Sequence, residues 1–237
     1  DVDVERSSDK RELIEADTFG YLSLHYICSL KKDEGFDKNL TDILFEIQIR
    51  SGLQHIWAAI DHDIAYKSKF GVPREIKRGF SRLAGLLELA DNEFVRVRDS
   101  MNDYIKDTHE KIVANEADSL AINTISLNEY MLYNISMQHL LERFAAIEGA
   151  EIHVTSPESY VDLLEWLGVT TLGDLHVMVK ENRGLAVAMA TEVLSGAELD
   201  ILSSNVALRF LCRAELMHKN YTFDQVVRFI MLTDNNE

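Results

Sequence analysis

Two short segments near the N-terminus alternate polar and apolar residues, which is the pattern of half-buried β-strands. Residues 21–30 and 43–50 each carry apolar side chains at every second position. We expect two strands whose apolar faces supply core packing and whose polar faces form one shared surface. That surface holds Tyr21, Ser23 and His25 from the first strand and Glu46, Gln48 and Arg50 from the second.

The apolar spacing becomes helical after the second strand. Ser51 is placed to cap a helix whose apolar stripe runs through residues 53–64. Pro73 interrupts the chain, and a second stripe over residues 80–105 predicts a long helix. Residues 1–18 are polar and mixed in charge, so we expect a surface connection there.

Only helical patterns follow residue 116. Breaks are expected at residues 156–157 and 168–171, at Gly184, at a capping box over residues 195–198, and at Thr222. The predicted fold class is α+β, with a partial mixed β-sheet packed by helices and then an all-α bundle. We expect domains at residues 1–114 and 115–237. The second would act in regulation or assembly, through a homo-oligomer or a regulatory partner.

Composition narrows the classes of function. A formal net charge of −16 over 237 residues opposes general binding to nucleic-acid phosphates. No apolar run approaches the roughly 20 residues that span a bilayer, so no membrane partner is expected. Cys28 and Cys212 lie far apart in apolar runs, which is typical of buried thiols in a reducing compartment such as the cytoplasm.

The polar strand surface combines aromatic, imidazole, carboxylate and guanidinium groups. Alternation alone favours a solvated sheet face over a binding site. The same groups nevertheless suit a nucleotide site, because a ring can stack on a base, a guanidinium can hold phosphate and a carboxylate can hold Mg²⁺.

Specific motifs add a family resemblance. Residues 20–26 read GYLSLHY, residues 45–50 read FEIQIR, and residues 53–67 form a helix with a tryptophan–alanine pair and a closing tyrosine–lysine. In order and separation these segments resemble the RelA/SpoT-type synthetases, and the resemblance extends over about residues 17 to 105.

The resemblance implies a Mg²⁺-dependent enzyme that transfers pyrophosphate from ATP to the 3′-hydroxyl of GTP or GDP, making (p)ppGpp and releasing AMP. Glu46 matches the catalytic carboxylate, beside the metal and the attacking hydroxyl. Tyr21 matches the tyrosine that stacks on guanine, and His25 lines the same pocket. Ser23, Gln48 and Arg50 are implied to complete the guanine-nucleotide site.

Some family features lack a counterpart. The resemblance implies a second metal-binding aspartate and basic ATP contacts from preceding strands, but only residues 1–20 precede Tyr21 here. We therefore expect the upstream part of the domain to be missing. Asp17 and Phe19 stand where some members place lysine and asparagine. Candidate phosphate contacts in their stead are Lys10, Arg11 and Lys67.

Two alternative functions stay open from the sequence. One is a catalytically inactive regulator of the same fold that binds a nucleotide or a partner. The other is a toxic relative that uses another acceptor, such as adenosine nucleotides or tRNA. A metal hydrolase centred on the pair His62 and Asp63 is less favoured than a structural role for both residues, because no further ligands accompany them at a convincing spacing.

Overall fold

The structure is a computed structural model that describes residues 1–31, 40, 43–67, 71–219, 221–222, 225–227 and 229, and the side chains of 65–67 lie outside that description. The chain divides into two compact units, Asp1–Asp99 and Ser100–Glu237. The predicted α+β class is confirmed. The prediction that residues 1–114 and 115–237 form separate domains stays a prediction.

The first unit contains a three-stranded antiparallel sheet in the order β1 (Val2–Asp9), β2 (Leu24–Cys28), β3 (Phe45–Ile49). The prediction of a surface connection at residues 1–18 was wrong for β1. That strand keeps its polar composition because it lies at the sheet edge, held by backbone bonds to β2. Its register shifts between Asp3 and Ser8, and the Ser7 hydroxyl accepts the Ile27 N–H at 3.0 Å there.

The two faces of the β2–β3 pair follow the predicted alternation. His25 pairs with Gln48 and Ile27 with Glu46 on one face. The opposite face pairs Leu24, Tyr26 and Cys28 with Ile49, Ile47 and Phe45. The expected core packing of this apolar face was wrong for β3, because Phe45, Ile47 and Ile49 are 42%, 45% and 54% exposed.

Two helices follow the sheet. Helix α1 (Gly52–Lys67) begins after Ser51, whose hydroxyl accepts the Gln54 N–H at 3.1 Å, so the predicted cap is confirmed. The same hydroxyl donates to Asp91 Oδ2 at 2.6 Å on the next helix. Helix α2 (Arg74–Val113) starts after Pro73, as expected, and extends for 40 residues. Its residues up to Asp99 belong to the first unit.

The second unit is mostly helical. Its helices are α3 (Thr124–Tyr133), α4 (Ile135–Glu148), α5 (Glu158–Trp166), α6 (Leu172–Leu194) and α7 (Val206–His218). Two short strands, β4 (Glu151–His153) and β5 (Ile201–Ser203), pair in parallel, which the helical patterns did not predict. Three residues each are too few for a period of two to be visible.

The observed bounds of α6 differ from two of the predicted breaks. Thr171 and Asp174 form a capping box at its start, within the predicted interruption at 168–171. Gly184 lies inside the helix, so no break occurs there. Ser195 ends the helix as its C-cap, and Glu198 has a φ of +51°, so the predicted capping box over residues 195–198 was wrong.

The second unit has a continuous apolar core. Helix α6 packs against α4 and α7. Phe144 and Phe210 meet at its centre, with ring centroids 5.8 Å apart, and both are almost fully buried. Within the described parts of the chain, none of the helices combines the length and apolar composition needed to cross a bilayer.

Candidate functional site

The polar face of the β2–β3 pair brings most of the predicted site residues together. His25 and Gln48 are direct partners across the two strands, and Glu46 lies two residues before Gln48 on the same face. Arg50 and Tyr21 lie just beyond the strand ends. The pairing therefore gathers carboxylate, imidazole, guanidinium and phenol groups at one end of the sheet.

Glu46 is held by two neighbours. His25 Nδ1 lies 3.1 Å from Glu46 Oε1, and the Gln48 amide donates to the same oxygen. Within the described part of the chain, the second oxygen, Oε2, accepts no hydrogen bond. The carboxylate side chain is 40% exposed, whereas that of His25 is only 15% exposed. One oxygen is thus held by two neighbours, and the side chain as a whole remains partly open to solvent.

Tyr21 lies at the centre of the aromatic part of the site. Its hydroxyl accepts a hydrogen bond from Arg50 at 2.9 Å, and the guanidinium lies 5.7 Å from the ring centroid. The His25 ring lies nearly perpendicular to it, at an interplanar angle of 84° and a centroid distance of 5.8 Å. The Trp57 ring lies nearly parallel to it, at an interplanar angle of 14° and a centroid distance of 6.3 Å. These contacts hold the ring and Arg50 in a single orientation.

Ser23 has a different position from the other predicted residues. It is buried, and its hydroxyl donates to the Ile49 carbonyl at 3.2 Å, which ties β2 to the end of β3. This bond gives Ser23 a structural contact, and its part in guanine binding stays a prediction.

Helix α1 contributes residues that the sequence did not assign to the site. Gln54 is buried, and its Oε1 accepts the Leu22 N–H at 3.2 Å next to Tyr21. Trp57 donates its indole N–H to the Phe80 carbonyl at 3.2 Å, which fixes the ring beside Tyr21. The tryptophan–alanine motif was the available signal for Trp57. Gln54 had no signal, because its contact depends on how the helix packs.

Two buried nitrogens of the site lack hydrogen-bond partners among the described residues, His25 Nε2 and Gln54 Nε2. Buried polar atoms are normally paired, since leaving one unpaired costs about 1–3 kcal/mol. A bound water or a ligand would supply the missing partners.

The three candidate phosphate contacts, Lys10, Arg11 and Lys67, differ in the contacts that the structure gives them. Arg11 follows β1 and makes a two-point contact with Asp9, at 2.8 and 2.5 Å. The side-chain hydrogen bond from Arg11 lowers the pKa of Asp9 and the same bond raises the pKa of Arg11. Lys10 donates its backbone N–H to the Ser23 carbonyl. The Lys67 side chain lies outside the described residues. A phosphate contact of any of the three stays a prediction.

Phe19 occupies a position where the resemblance would place a polar residue in some members. Its ring packs on Gly85 of α2, where a Cβ atom would come within 3.1 Å of the ring. Glycine at this position therefore lets the segment before Tyr21 lie close to the helix.

The metal-ligating side chains of the site suit an ion that is bound jointly by the protein and a substrate. Among the described residues, no three or more His, Cys, Asp or Glu side chains are grouped closely enough to hold an ion. His62 and Asp63 therefore belong to no such group within this part of the chain. Mg²⁺ is commonly bound by one or two carboxylates together with substrate phosphates and waters. Glu46, whose side chain is 40% exposed and whose Oε2 accepts no hydrogen bond from the described residues, fits the role of one such carboxylate.

Comparison with known proteins agrees with the strand motifs. Residues 1–70 match the family model described as the region found in RelA/SpoT proteins. No curated protein and no solved structure matches the chain. The match ends before α2, so the expected extension of the resemblance to about residue 105 stays a prediction. The chain therefore carries a RelA/SpoT region in residues 1–70, which confirms the family resemblance of its strand motifs.

Proposed function

We propose that the chain contributes the acceptor half of a pyrophosphotransferase site, which moves the β,γ-pyrophosphate of ATP to the 3′-hydroxyl of GTP or GDP. The observation that carries the proposal is the arrangement around Glu46, within a region that matches RelA/SpoT proteins. His25 and Gln48 contact one carboxylate oxygen, and the Glu46 side chain remains 40% exposed. These nucleotides are cytoplasmic metabolites, so the proposed place of action is the cytoplasm.

In the proposed reaction the acceptor 3′-oxygen forms a bond to the β-phosphorus of ATP. The bond between that phosphorus and the oxygen bridging to the α-phosphate breaks, and AMP leaves. Glu46 accepts the proton of the 3′-hydroxyl, and its contacts with His25 and Gln48 hold it in place to do so. Positioning of this kind supplies much of the rate in phosphoryl-type transfer.

Mg²⁺ would be held by Glu46 together with the substrate phosphates, and it would neutralise charge on the transferred group. Arg50 lies beside Tyr21 and would hold acceptor phosphate. Its hydrogen bond to the Tyr21 hydroxyl keeps the guanidinium at the edge of the proposed base site.

The proposed guanine contact is a stack on Tyr21. Trp57, His25 and Arg50 support the orientation of this ring. The unpaired His25 Nε2 lies on a ring that touches both Tyr21 and Glu46, so it would receive a partner only after local rearrangement on binding. Guanine carries N–H donors suited to a neutral imidazole nitrogen.

The test substitutes Glu46→Gln in the intact protein and measures AMP release from labelled ATP with GDP as the acceptor. Loss of the proton acceptor should lower the transfer rate by roughly 10²- to 10⁴-fold. The melting temperature should be unchanged, because the side chain is substantially exposed. Glu110→Gln, an exposed glutamate on α2, is the matched control and should keep the wild-type rate. Transfer at the wild-type rate in Glu46→Gln would remove Glu46 from the chemistry.

The same assay separates the alternative functions. Adenosine nucleotides and tRNA replace GDP as acceptors to test for a relative with another target. A protein that binds GDP by calorimetry, yet releases no AMP with any acceptor, is an inactive regulator of the same fold. Such a result would contradict the proposed transfer activity but would still support the proposed nucleotide site.

For residues 115–237 we propose a regulatory or assembly role. The supporting observation is that one apolar core cluster runs from Ile112 to Phe229 within the second unit. A chain ending near Asn115 should remain folded and change its rate or nucleotide response in the transfer assay. Early melting or aggregation would instead mean that these residues are needed for folding of the whole chain.

A further inference from the structure

Helix α2 carries a large exposed apolar stripe. Leu83, Phe94, Val97 and Met101 are 50%, 68%, 59% and 46% exposed, although they lie on one side of the helix. From residue 92 to residue 104 every side chain of the helix is exposed. A helix with so strong a separation of polar and apolar residues normally buries its apolar side.

The spacing of the stripe is that of a coiled coil. Leu83, Ala90 and Val97 are seven residues apart, and so are Leu87, Phe94 and Met101. The two series alternate by four and three residues, as the d and a positions of a heptad repeat do. A stripe with this period stays in contact with an identical helix along its whole length.

Charged residues beside the stripe complement each other across a parallel pair of such helices. Glu93 occupies the g position and Arg98 the following e position, which meet between parallel chains. Both side chains are more than half exposed, and among the described residues Glu93 contacts the exposed Arg96 and Arg98 contacts the exposed Asp99. Asp91, the acid that would pair with Arg98 between antiparallel chains, already accepts the Ser51 hydroxyl.

We propose that this stripe is a self-association surface that pairs α2 with α2 of a second copy of the chain, parallel and in register. Phe94 and Val97 form the centre of the seam, and Glu93 pairs with Arg98 of the other copy on each side. The proposal does not depend on the transferase activity, because the stripe lies outside the residues assigned to that site.

Sedimentation velocity of the intact protein over a range of concentrations tests the proposal. The wild type should show a monomer–dimer equilibrium. Phe94→Glu should raise the dimer dissociation constant by roughly 100-fold or more, since an unpaired charge would be buried in the seam. Asn92→Glu adds the same charge on the opposite side of the same turn and should leave the equilibrium unchanged.

Charge reversal tests the parallel register. Glu93→Lys should weaken the dimer, and the double variant Glu93→Lys/Arg98→Glu should restore it. A wild type that remains monomeric at every concentration overturns the proposal, and so does a dimer that Phe94→Glu leaves intact. A dimer that the double variant fails to restore overturns the parallel pairing. Circular dichroism of each variant confirms that the exposed substitutions leave the fold unchanged.

Discussion

The two units of the chain use their residues in opposite ways. Among its described residues, the first unit has few fully buried side chains, of which Ser23, Cys28, Gln54 and Ala84 are examples, and it exposes apolar residues on β3 and α2. The second unit buries a continuous set of leucine, methionine and phenylalanine side chains. Chemistry-bearing groups concentrate in the unit with the smaller core, and stability should therefore concentrate in the other.

The strongest test of this comparison is a pair of phenylalanine truncations. Phe144→Ala removes a fully buried ring that packs on Phe210, and it should lower the free energy of unfolding by about 3–5 kcal/mol. Phe45→Ala removes a 42% exposed ring of β3 and should cost less than about 1 kcal/mol. Urea unfolding followed by circular dichroism measures both. Equal losses would mean that the first unit is stabilised as strongly as the second.

Buried polar contacts sharpen the same contrast. Asn182 is fully buried on α6, and its amide donates to the Met178 carbonyl at 3.1 Å and to Glu215 Oε2 at 2.5 Å. Asn182→Ala removes a bond to a charged group inside the core and should cost about 2–3 kcal/mol in urea unfolding.

Asn92→Ala is the matched control for that substitution, because Asn92 lies exposed on α2 in the first unit. It should change the free energy of unfolding by less than about 0.5 kcal/mol. If the two asparagine variants unfold alike, the hydrogen bonds to Glu215 and Met178 contribute nothing net to the core.

In the first unit the largest effect should be on binding rather than on stability. Tyr21→Ala removes the ring proposed to stack on guanine and should weaken GDP binding by about 1–3 kcal/mol, whereas Tyr21→Phe keeps the ring and should bind nearly as wild type. Titration calorimetry measures the affinities. Tyr26→Ala, on the opposite face of the sheet, is the control. Wild-type affinity in Tyr21→Ala would make the ring structural only.

The sequence predicted the parts of the fold that repeat with a clear period. Alternation located β2 and β3, and the capping serine and Pro73 located the starts of α1 and α2. β1 was missed because an edge strand tolerates polar residues on both faces. Gly184 was taken for a break because its local helix propensity is low, but burial of neighbouring residues such as Ala186 keeps the helix intact.

The site was predictable to the extent that it depends on strand pairing. Once β2 and β3 are adjacent, the contact between His25 and Glu46 follows from their shared face. The contacts of Gln54 and Trp57 with residues 22 and 21 depend on how α1 packs at the sheet end. Contacts between elements distant in sequence leave no periodic signal, so they could not be predicted from the sequence pattern.

The smallest effects should come from a helix cap of the second unit and should depend on pH. Thr171 caps α6, so Thr171→Ala should cost about 1 kcal/mol in urea unfolding near neutral pH. Thr191→Ala is the control, because its hydroxyl donates to the Val187 carbonyl of the same helix and caps no helix end. A cap variant no less stable than this control would mean that the core alone fixes the start of α6.

Asp174, the other member of the cap, gives the pH dependence. The side-chain hydrogen bond with Thr171, then the backbone N–H groups of Thr171 and Thr170, lower the pKa of Asp174 below its usual value of 3.8. A lowered pKa in the folded state contributes stability that is present above 3.8 and lost as the pH falls through the folded value. Asp174→Asn should therefore be less stable than the wild type near neutral pH, by less than the cap variant, because the carboxylate is exposed. Urea unfolding at a series of falling pH values should show this difference shrinking below 3.8, and a difference that stayed constant across the series would mean that the charge of Asp174 does not stabilise the helix.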